Sequence, residues 1–160
     1  MVKKSAMRQY LGARSGIESI RPARRNYKPG EKRVSMADLP FVYRPRRGFK
    51  NSSNWRVAPT DDYGMACEIG REYAAHFTQF LKDNPRVVGS NMLGNIVEDI
   101  DFSDKSCATG YWVGFFSQLE RLIFISAQLV DVFADVDKIN ARYAEIKAKR
   151  QIEEAETEEA

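Results

Sequence analysis

Apolar side chains recur at spacings of three and four in the stretch that follows Thr60. They are Tyr63, Ala66, Cys67, Gly70, Tyr73, Ala74, Phe77, Phe80 and Leu81, while charged residues fall mainly on the other side. This spacing is typical of a helix with one buried face. Thr60 is a suitable N-cap and Pro85 cannot continue a helix, so the sequence predicts a helix from about 61 to 83. A weaker stripe predicts a shorter helix from Ser90 to about Asp99.

A longer and more regular pattern occupies positions 107 to 150. Separations of three and four residues alternate along a seam made of Phe115, Gln118, Leu122, Ile125, Leu129, Val132, Val136, Ile139, Tyr143 and Ile146. Such alternation is typical of helices that pack along a narrow line of contact. We predict one helix over about 107–150, or a hairpin of two helices if the chain breaks near Asp131 to Asp137. All seam residues except Gln118 are expected to pack in the core or between subunits.

The first half of this region, from Tyr111 to Val130, is apolar on several faces, so we expect neighbours to enclose it. Gln118, Glu120 and Arg121 interrupt it, and a spanning helix needs about eighteen uninterrupted apolar residues. The N-terminus is basic but has no apolar stretch behind it. Neither a membrane span nor a secretory signal is therefore expected.

The residues before Thr60 show no helical periodicity. Five of the six prolines lie there, at Pro22, Pro29, Pro40, Pro45 and Pro59. Proline fixes φ, removes an amide donor and disfavours the helical region for the residue before it. The sequence therefore predicts an extended, irregular course from Ile20 to Pro59.

Together these patterns place the chain in the all-α class, as a helical bundle with a long C-terminal helix and an extended basic N-terminal arm. We expect the arm to cover residues 1–58 and the bundle domain to cover residues 59–151. Residues 152–160 form an acidic tail that consists mostly of Glu, Ala and Thr, and we expect this tail to fray.

Charge is sorted by position along the chain. Residues 1–50 carry 14 Lys and Arg against 3 Asp and Glu, a net of +11, whereas the other 110 residues carry 11 basic and 19 acidic side chains, a net of −8. A segment this basic repels itself, so we expect it to stay solvated or to lie on a polyanion. Nucleic acid is the leading candidate for that polyanion.

Arginine outnumbers lysine nine to five in this segment, and its five-donor fork suits phosphate. The predicted nucleic-acid-binding residues are Lys3, Lys4, Arg8, Arg14, Arg21, Arg24, Arg25, Lys28, Lys32, Arg33, Arg44, Arg46, Arg47 and Lys50. Aromatic residues between them could stack on bases or pack against sugars and neighbouring subunits: Tyr10, Tyr27, Phe41, Tyr43, Phe49 and Trp55. Because no recognition helix, zinc finger or RNA-binding sheet is evident, we expect non-specific contact. A solubilising tail or a basic targeting segment is the alternative.

Catalytic and metal-binding patterns are absent from the sequence. His76 is the only histidine and lies beside apolar residues, so we expect a packed helix histidine rather than a catalytic base. Cys67 and Cys107 lie forty residues apart without metal-ligand spacing, and we expect small buried side chains rather than a disulfide. We therefore expect no enzymatic activity, no cofactor and no metal.

The size of the basic excess favours a packaging role. Duplex DNA carries one charge per ~1.7 Å of axis, so a net of +11 would neutralise about half a helical turn for each copy of the protein. A coat that covers every turn needs this much charge in each subunit, whereas a regulator of isolated sites needs base-reading geometry instead.

The arginines of the arm and the heptad-spaced helix together resemble the major capsid proteins of rod-shaped and filamentous archaeal viruses. In that group, arms of paired subunits wrap linear double-stranded DNA in A-form, and helical modules make the outer wall. The resemblance implies that residues 1 to about 58 contact DNA, that the chain from Thr60 onward builds a helical shell, and that the face from Tyr111 to Val130 packs within and between subunits. It also implies a location in the virion, with further copies of the chain or a homologous second subunit as partners.

Two other functions stay open at this point. A ribosome- or RNA-associated structural protein would thread the basic extension through folded RNA. A helical scaffold or adaptor of a mobile element would use the heptad seam as its functional surface. In the first case the protein belongs to a nucleoprotein particle inside the host cell.

Overall fold

The computed structural model describes residues 21–30, 34–45 and 52–158. Four α-helices lie within these ranges, namely α1 (Tyr63–Asp83), α2 (Met92–Glu98), α3 (Thr109–Ala127) and α4 (Val132–Glu158). The predicted all-α class is confirmed. Among the described helices, none is both long enough and apolar enough to cross a membrane.

Helix α1 has nearly the predicted bounds, but it has a different cap. The carboxylate of Asp62 accepts a hydrogen bond from the Met65 amide at 2.9 Å and is the N-cap. The hydroxyl of Thr60, predicted as the cap, instead accepts from the Asp62 amide at 3.1 Å. A carboxylate at this place satisfies a free amide and also faces the positive end of the helix dipole, which explains why Asp62 is preferred.

The chain between α1 and α3 follows the predicted order with shorter helices. Pro85–Val87 forms a single 3-10 turn directly after α1. The helix predicted from Ser90 to about Asp99 is observed as α2, preceded by Asn91 in a left-handed conformation with φ of 57°. Ile96 of this helix and the following Ile100 are buried, so this short segment closes one side of the core.

Glycines allow α1 and α3 to approach until their backbones touch. A Cβ atom added to Gly70 of α1 would overlap the carbonyl oxygen of Tyr111, and one added to Gly114 of α3 would overlap the carbonyl oxygen of Cys67. Side chains larger than hydrogen at these two positions would therefore push the helices apart. The close crossing positions Tyr73 and Tyr111 with their rings stacked, at a centroid distance of 6.0 Å.

An aromatic cluster fills the core beside this crossing. Phe41 packs on Trp55, Tyr73 and Phe115, with ring centroids 5.3, 5.3 and 5.6 Å away. Phe41 and Trp55 precede the helices, whereas Tyr73 and Phe115 belong to α1 and α3. Aromatic side chains bury a large area each and contribute strongly to core stability. The extended segment is thus part of the core.

The described part of the predicted arm is extended, yet it is not separate from the helices. Its regular structure is limited to a 3-10 turn at Met36–Asp38 and an isolated bridge between Tyr43 and Ser53. One hydrophobic core contains arm residues and helix residues together. The expectation that the basic segment stays solvated unless it lies on a polyanion does not hold for Tyr27, Leu39 and Phe41, whose burial favours packing on the helices.

The chain divides into two compact units after Glu120. The second unit contains the end of α3 and all of α4. Between them, the amides of Gln128 and Leu129 donate to the carbonyls of Ile125 and Ser126 and end α3. The carboxylate of Asp131 then accepts from the Ala134 amide at 3.0 Å and starts α4.

The predicted region 107–150 is therefore two helices, as in the hairpin alternative, and the break at residues 128–131 meets the range suggested for it at Asp131. Helix α4 also continues through the acidic tail to Glu158, where the sequence predicted fraying from residue 152. Glu and Ala are good helix formers, so an acidic composition alone does not end a helix.

Candidate nucleic-acid interface

Residues 21–28 of the basic segment run along α1 and form ion pairs with it. The guanidinium of Arg21 lies 2.6 Å from the Glu68 carboxylate. The guanidinium of Arg24 holds both carboxylate oxygens of Glu72, through Nε at 2.9 Å and Nη2 at 2.5 Å. Glu68 and Glu72 are one helical turn apart and point to the same side of α1. Two of the arginines predicted to bind phosphate are therefore paired with carboxylates of the same chain.

The Arg24–Glu72 pair is unequally exposed. The Arg24 side chain is 81% exposed and that of Glu72 only 11%. The hydrogen bond from Arg24 lowers the pKa of Glu72, and the same bond raises the pKa of Arg24. The pair is thus fully charged at neutral pH, with the guanidinium facing solvent. A second anion could reach Arg24 from that side.

Tyr27 fixes the basic segment to α1 at three points. Its backbone amide donates to the Asp83 carboxylate at 2.7 Å, and its carbonyl accepts from the Asn84 side-chain amide at 2.9 Å. Its hydroxyl lies 2.6 Å from Nδ1 of His76. The guanidinium carbon of Arg25 lies 4.8 Å above the centre of the Tyr27 ring, and Arg25 also donates to the Asp38 carbonyl. The backbone that carries the arginines is therefore rigidly placed.

His76 is a packed helix histidine, as the sequence predicted. Its side chain is buried, and burial lowers its pKa below the ordinary value, so the imidazole is neutral near pH 7. The Tyr27 hydroxyl and Nδ1 share a hydrogen bond, and Nε2 has no hydrogen-bond partner among the described residues. A buried neutral imidazole that is hydrogen-bonded to the arm has a structural role.

The other described basic residues lie in different settings. Lys28 is exposed and close enough to Asp83 to help lower the pKa of that carboxylate. Arg44 donates to the Asn54 side-chain oxygen at 2.6 Å, and Asn54 in turn donates to the Asp99 carboxylate. The remaining nine predicted binding residues lie outside the described residues: Lys3, Lys4, Arg8, Arg14, Lys32, Arg33, Arg46, Arg47 and Lys50.

The aromatic residues of the arm do not form a base-stacking surface where they are described. Tyr27, Phe41 and Trp55 are buried in the core of their own chain, so in this structure their rings are not exposed for stacking on bases or for packing against sugars. Tyr43 is half-buried, and the Arg56 guanidinium covers its ring at 3.9 Å. Tyr10 and Phe49 lie outside the described residues. The described interface can therefore offer charge to a polyanion but not stacking to unpaired bases.

An open pocket of about 130 Å³ lies where the arm meets α1, lined by Arg24, Arg25, Glu72, Ala75, His76 and Gln79. Glu72 holds Arg24 in this pocket, while Arg25 donates to the Asp38 carbonyl and lies over the Tyr27 ring. In the described part of the chain no group of three or more His, Cys, Asp or Glu could hold a metal ion. Cys67 and Cys107 are half-buried free thiols.

Comparisons of the chain with family models, curated proteins and solved structures gave no match. Any assignment of function must come from the residues themselves.

The predicted packing seam is divided between the two units. Phe115 is fully buried in the core, and Leu122 is half-buried. Gln118 is also half-buried, and the other seven members are exposed: Ile125, Leu129, Val132, Val136, Ile139, Tyr143 and Ile146. The expectation that neighbours enclose the first half of this region holds as far as Phe116 and Leu119, which pack against the core, whereas Ile123 and Phe124 are exposed.

Sequence reasoning missed the carboxylates that bind the arm. In the sequence, Glu68 and Glu72 are among the charged residues opposite the apolar face of α1, and nothing in the pattern indicates a partner for them. Their separation of four residues was the available signal, because two acids one turn apart can each bind a cation on an adjacent extended segment. Nothing local in the sequence indicates which arginines they select.

Proposed function

We propose that this protein is a structural nucleic-acid-packaging protein, a virion capsid subunit that binds double-stranded DNA non-specifically and assembles with other subunits into a helical shell. The observation that carries the proposal is the net charge of +11 within residues 1–50. A charge of this size on each copy suits continuous neutralisation of a phosphate backbone.

The arrangement of the described arginines supports phosphate contact. Arg21, Arg24, Arg25 and Lys28 lie within eight residues of one extended segment that Tyr27 fixes to α1. Cations on a rigid backbone lose little conformational entropy when they bind a regular array of phosphates. On binding, the phosphates of DNA would replace Glu68 and Glu72 as the partners of Arg21 and Arg24. Two ion pairs within the protein would thus be exchanged for two contacts with DNA.

The exposed apolar seam supports the assembly part of the proposal. Monomeric proteins rarely leave a long row of large apolar side chains in water. This row lies in the second unit, whereas the basic segment lies in the first. Separate surfaces for nucleic acid and for other subunits are what a coat protein requires.

The experiment is a titration of labelled random-sequence duplex with the whole protein at several salt concentrations. A variant in which Lys28, Arg44, Arg46 and Arg47 are changed to Gln removes four arm charges. If all four contact phosphate, the slope of log affinity against log salt falls in magnitude by about 3 to 4. The control changes Arg71, Lys82, Arg86 and Lys105 to Gln, which removes the same charge outside the arm. We expect the control slope to change by less than about 1.

Equal slopes for the two variants would contradict the proposal, as would the absence of binding at low salt. Competition with structured RNA at matched salt tests the choice of duplex DNA, because tighter binding to RNA would point to a ribosome- or RNA-associated protein instead. Deleting residues 1–50 is not a usable test. It would remove Tyr27, Leu39 and Phe41 from the core and unfold the first unit.

A further inference from the structure

The apolar row on α4 lacks a covering partner within the described structure. Val132, Val136, Ile139, Tyr143 and Ile146 are between 39% and 68% exposed. All α4 side chains that the structure describes are exposed. The helix has 27 residues and is about 40 Å long. Because helices in water gain most of their stability from packing one apolar face, this row indicates a contact made after folding.

The row has the spacing of a two-helix contact. Val132, Ile139 and Ile146 are seven residues apart, and Val136 and Tyr143 form a second row between them at the same period. Two interleaved rows of this kind cover a strip wide enough for one partner helix. Because α3 ends at Ala127 and α4 starts at Val132, the continuous strip is limited to α4.

We propose that the partner is α4 of a second copy, packed antiparallel about a two-fold axis. If Val136 lies opposite Ile146 of the second copy, Ile139 lies opposite Tyr143, and the symmetry repeats both contacts. All four side chains are then covered by apolar neighbours. A surface that is complementary to itself in this way is what a two-fold dimer requires.

The charges beside the seam favour this direction. In the antiparallel arrangement Asp135 flanks the seam next to Lys149 of the second copy, and this pairing occurs twice. The aliphatic stem of Lys147 lies beside Phe133, which is 82% exposed in one copy alone. Arg142 approaches its own counterpart once, on the axis. Flanking charges of this kind set the partner and the orientation of paired helices.

A parallel arrangement meets more repulsion. It brings Arg150 and Glu153, which continue the seam, each against its own counterpart in the second copy, whereas the antiparallel register places Arg150 opposite Val132. It also places Arg142 beside Lys147 on both sides. Like charges brought together on the contact line of two helices oppose association. The antiparallel pairing is the arrangement that the sequence of α4 favours.

This inference rests on the self-association part of the proposed function and needs no nucleic acid. The two can therefore fail separately. A dimer that does not bind DNA would remove only the packaging proposal, and a monomer that binds DNA would remove only the pairing proposal.

Cross-linking of the full chain without nucleic acid tests the pairing. In a background with Cys67→Ala and Cys107→Ala, one protein carries Val136→Cys and a second, tagged protein carries Ile146→Cys. Antiparallel pairing predicts that the mixture gives the mixed disulfide dimer, while each protein alone gives little. Self-cross-linking of either protein alone would overturn the orientation. No cross-link in any sample, with a monomeric mass in sedimentation, would overturn the choice of a second copy.

Charge exchange gives a second test that does not depend on cysteines. Asp135→Lys should weaken the dimer by about threefold to tenfold, and adding Lys149→Asp should restore it. The matched control exchanges Asp137→Lys and Lys138→Asp, which lie off the seam, and its single and double variants should dimerise like the parent. Failure of Lys149→Asp to restore dimerisation would overturn the proposed register.

An apolar-face variant checks that the row itself is the contact. Ile139→Asp should weaken self-association on the order of a hundredfold, because it places a charge in the covered strip. Ala141→Asp puts the same side chain on the opposite face of the same helix and should leave dimerisation unchanged. Equal effects of both variants, with helix content retained, would overturn the assigned face.

Discussion

The hydroxyl of Tyr27 shares a hydrogen bond with Nδ1 of His76 over 2.6 Å, and both side chains are buried. The contact joins the extended basic segment to α1. Burial lowers the pKa of His76, so the imidazole in this bond is neutral at pH 7. The bond therefore couples the placement of the basic segment to the protonation state of one histidine.

Removing this hydroxyl tests the coupling. Tyr27→Phe keeps the ring contact with Phe80, at 5.7 Å between centroids, but leaves Nδ1 of His76 without its hydrogen-bond partner. A buried polar group left unsatisfied costs about 1–3 kcal/mol, so the unfolding free energy should fall by that amount. Urea unfolding measures it. Tyr43→Phe, at a half-buried ring, is the control and should cost about 0.5 kcal/mol or less. Equal losses would show that the bond contributes nothing specific.

The lowered pKa of His76 predicts how stability depends on pH. Burial is the main cause of the lowered pKa, and the charges of Arg25 and Arg24 lower the pKa further. The Pro22 carbonyl and the Glu72 carboxylate raise it in part. Below the ordinary value of 6.5 the unfolded chain takes up a proton before the folded chain does. The unfolding free energy should therefore fall as the pH drops from about 7.5 to about 5.5.

His76→Gln, which cannot titrate, isolates this effect. Its unfolding free energy should change less over the same pH range than that of the parent. Titration of Glu72 does not affect the comparison of parent and variant over this pH range. The pKa of Glu72 is lowered from 4.5, so its contribution to the unfolding free energy is lost only in more acidic solution. Thermal melts at matched ionic strength give the slopes. Identical slopes for parent and variant would contradict the assignment.

The crossing of α1 and α3 predicts opposite effects for two glycine substitutions in one helix. Gly70→Ala adds a methyl group that overlaps the Tyr111 carbonyl, so the helices must separate, at a cost of about 1–3 kcal/mol. Gly64→Ala adds the same group at an exposed position, 3.4 Å from the Asp62 carboxylate, and should be neutral or stabilise α1 by up to about 1 kcal/mol. Equal stabilities in urea would show that the crossing is looser than described.

The ion pairs along α1 predict a gain in nucleic-acid affinity on their removal. Glu68→Gln with Glu72→Gln releases Arg21 and Arg24 to bind phosphate. If both do so, the slope of log affinity against log salt should grow in magnitude by up to about 2. Glu98→Gln with Glu120→Gln changes net charge equally at exposed positions away from these pairs. A double variant that behaves like this control would show that the two arginines do not contact the polyanion.

The periodic parts of the fold were predictable from sequence, and the non-periodic parts were not. The apolar stripe of α1 placed its ends within two residues of those observed, because a helix face repeats locally. Phe41 and Trp55 carry no such repeat. Their burial depends on Tyr73 and Phe115, which are distant in sequence, and only the folded chain shows that these rings meet.

The break in the long seam was also not visible in the periodic pattern of the sequence. The heptad spacing continues across residues 128–131 without a missing position, and neither Pro nor Gly occurs there. The side chain of Asp131 caps α4, which favours a new helix start over continuation. For the basic segment, net charge predicted a partner of opposite sign. It did not predict that Glu68 and Glu72 of the same chain supply part of that charge.

The division of the chain after Glu120 determines what optical probes can report. Both tryptophans, Trp55 and Trp112, belong to the first unit, and α4 has none. Selectively excited tryptophan fluorescence will therefore follow melting of the first unit and will not report on α4, whereas far-ultraviolet circular dichroism sums over all four helices. Superimposable transitions from the two methods would mean that the units unfold cooperatively. Separate transitions would assign each unit its own midpoint, and a midpoint for α4 that rises with protein concentration would mark it as the associating part.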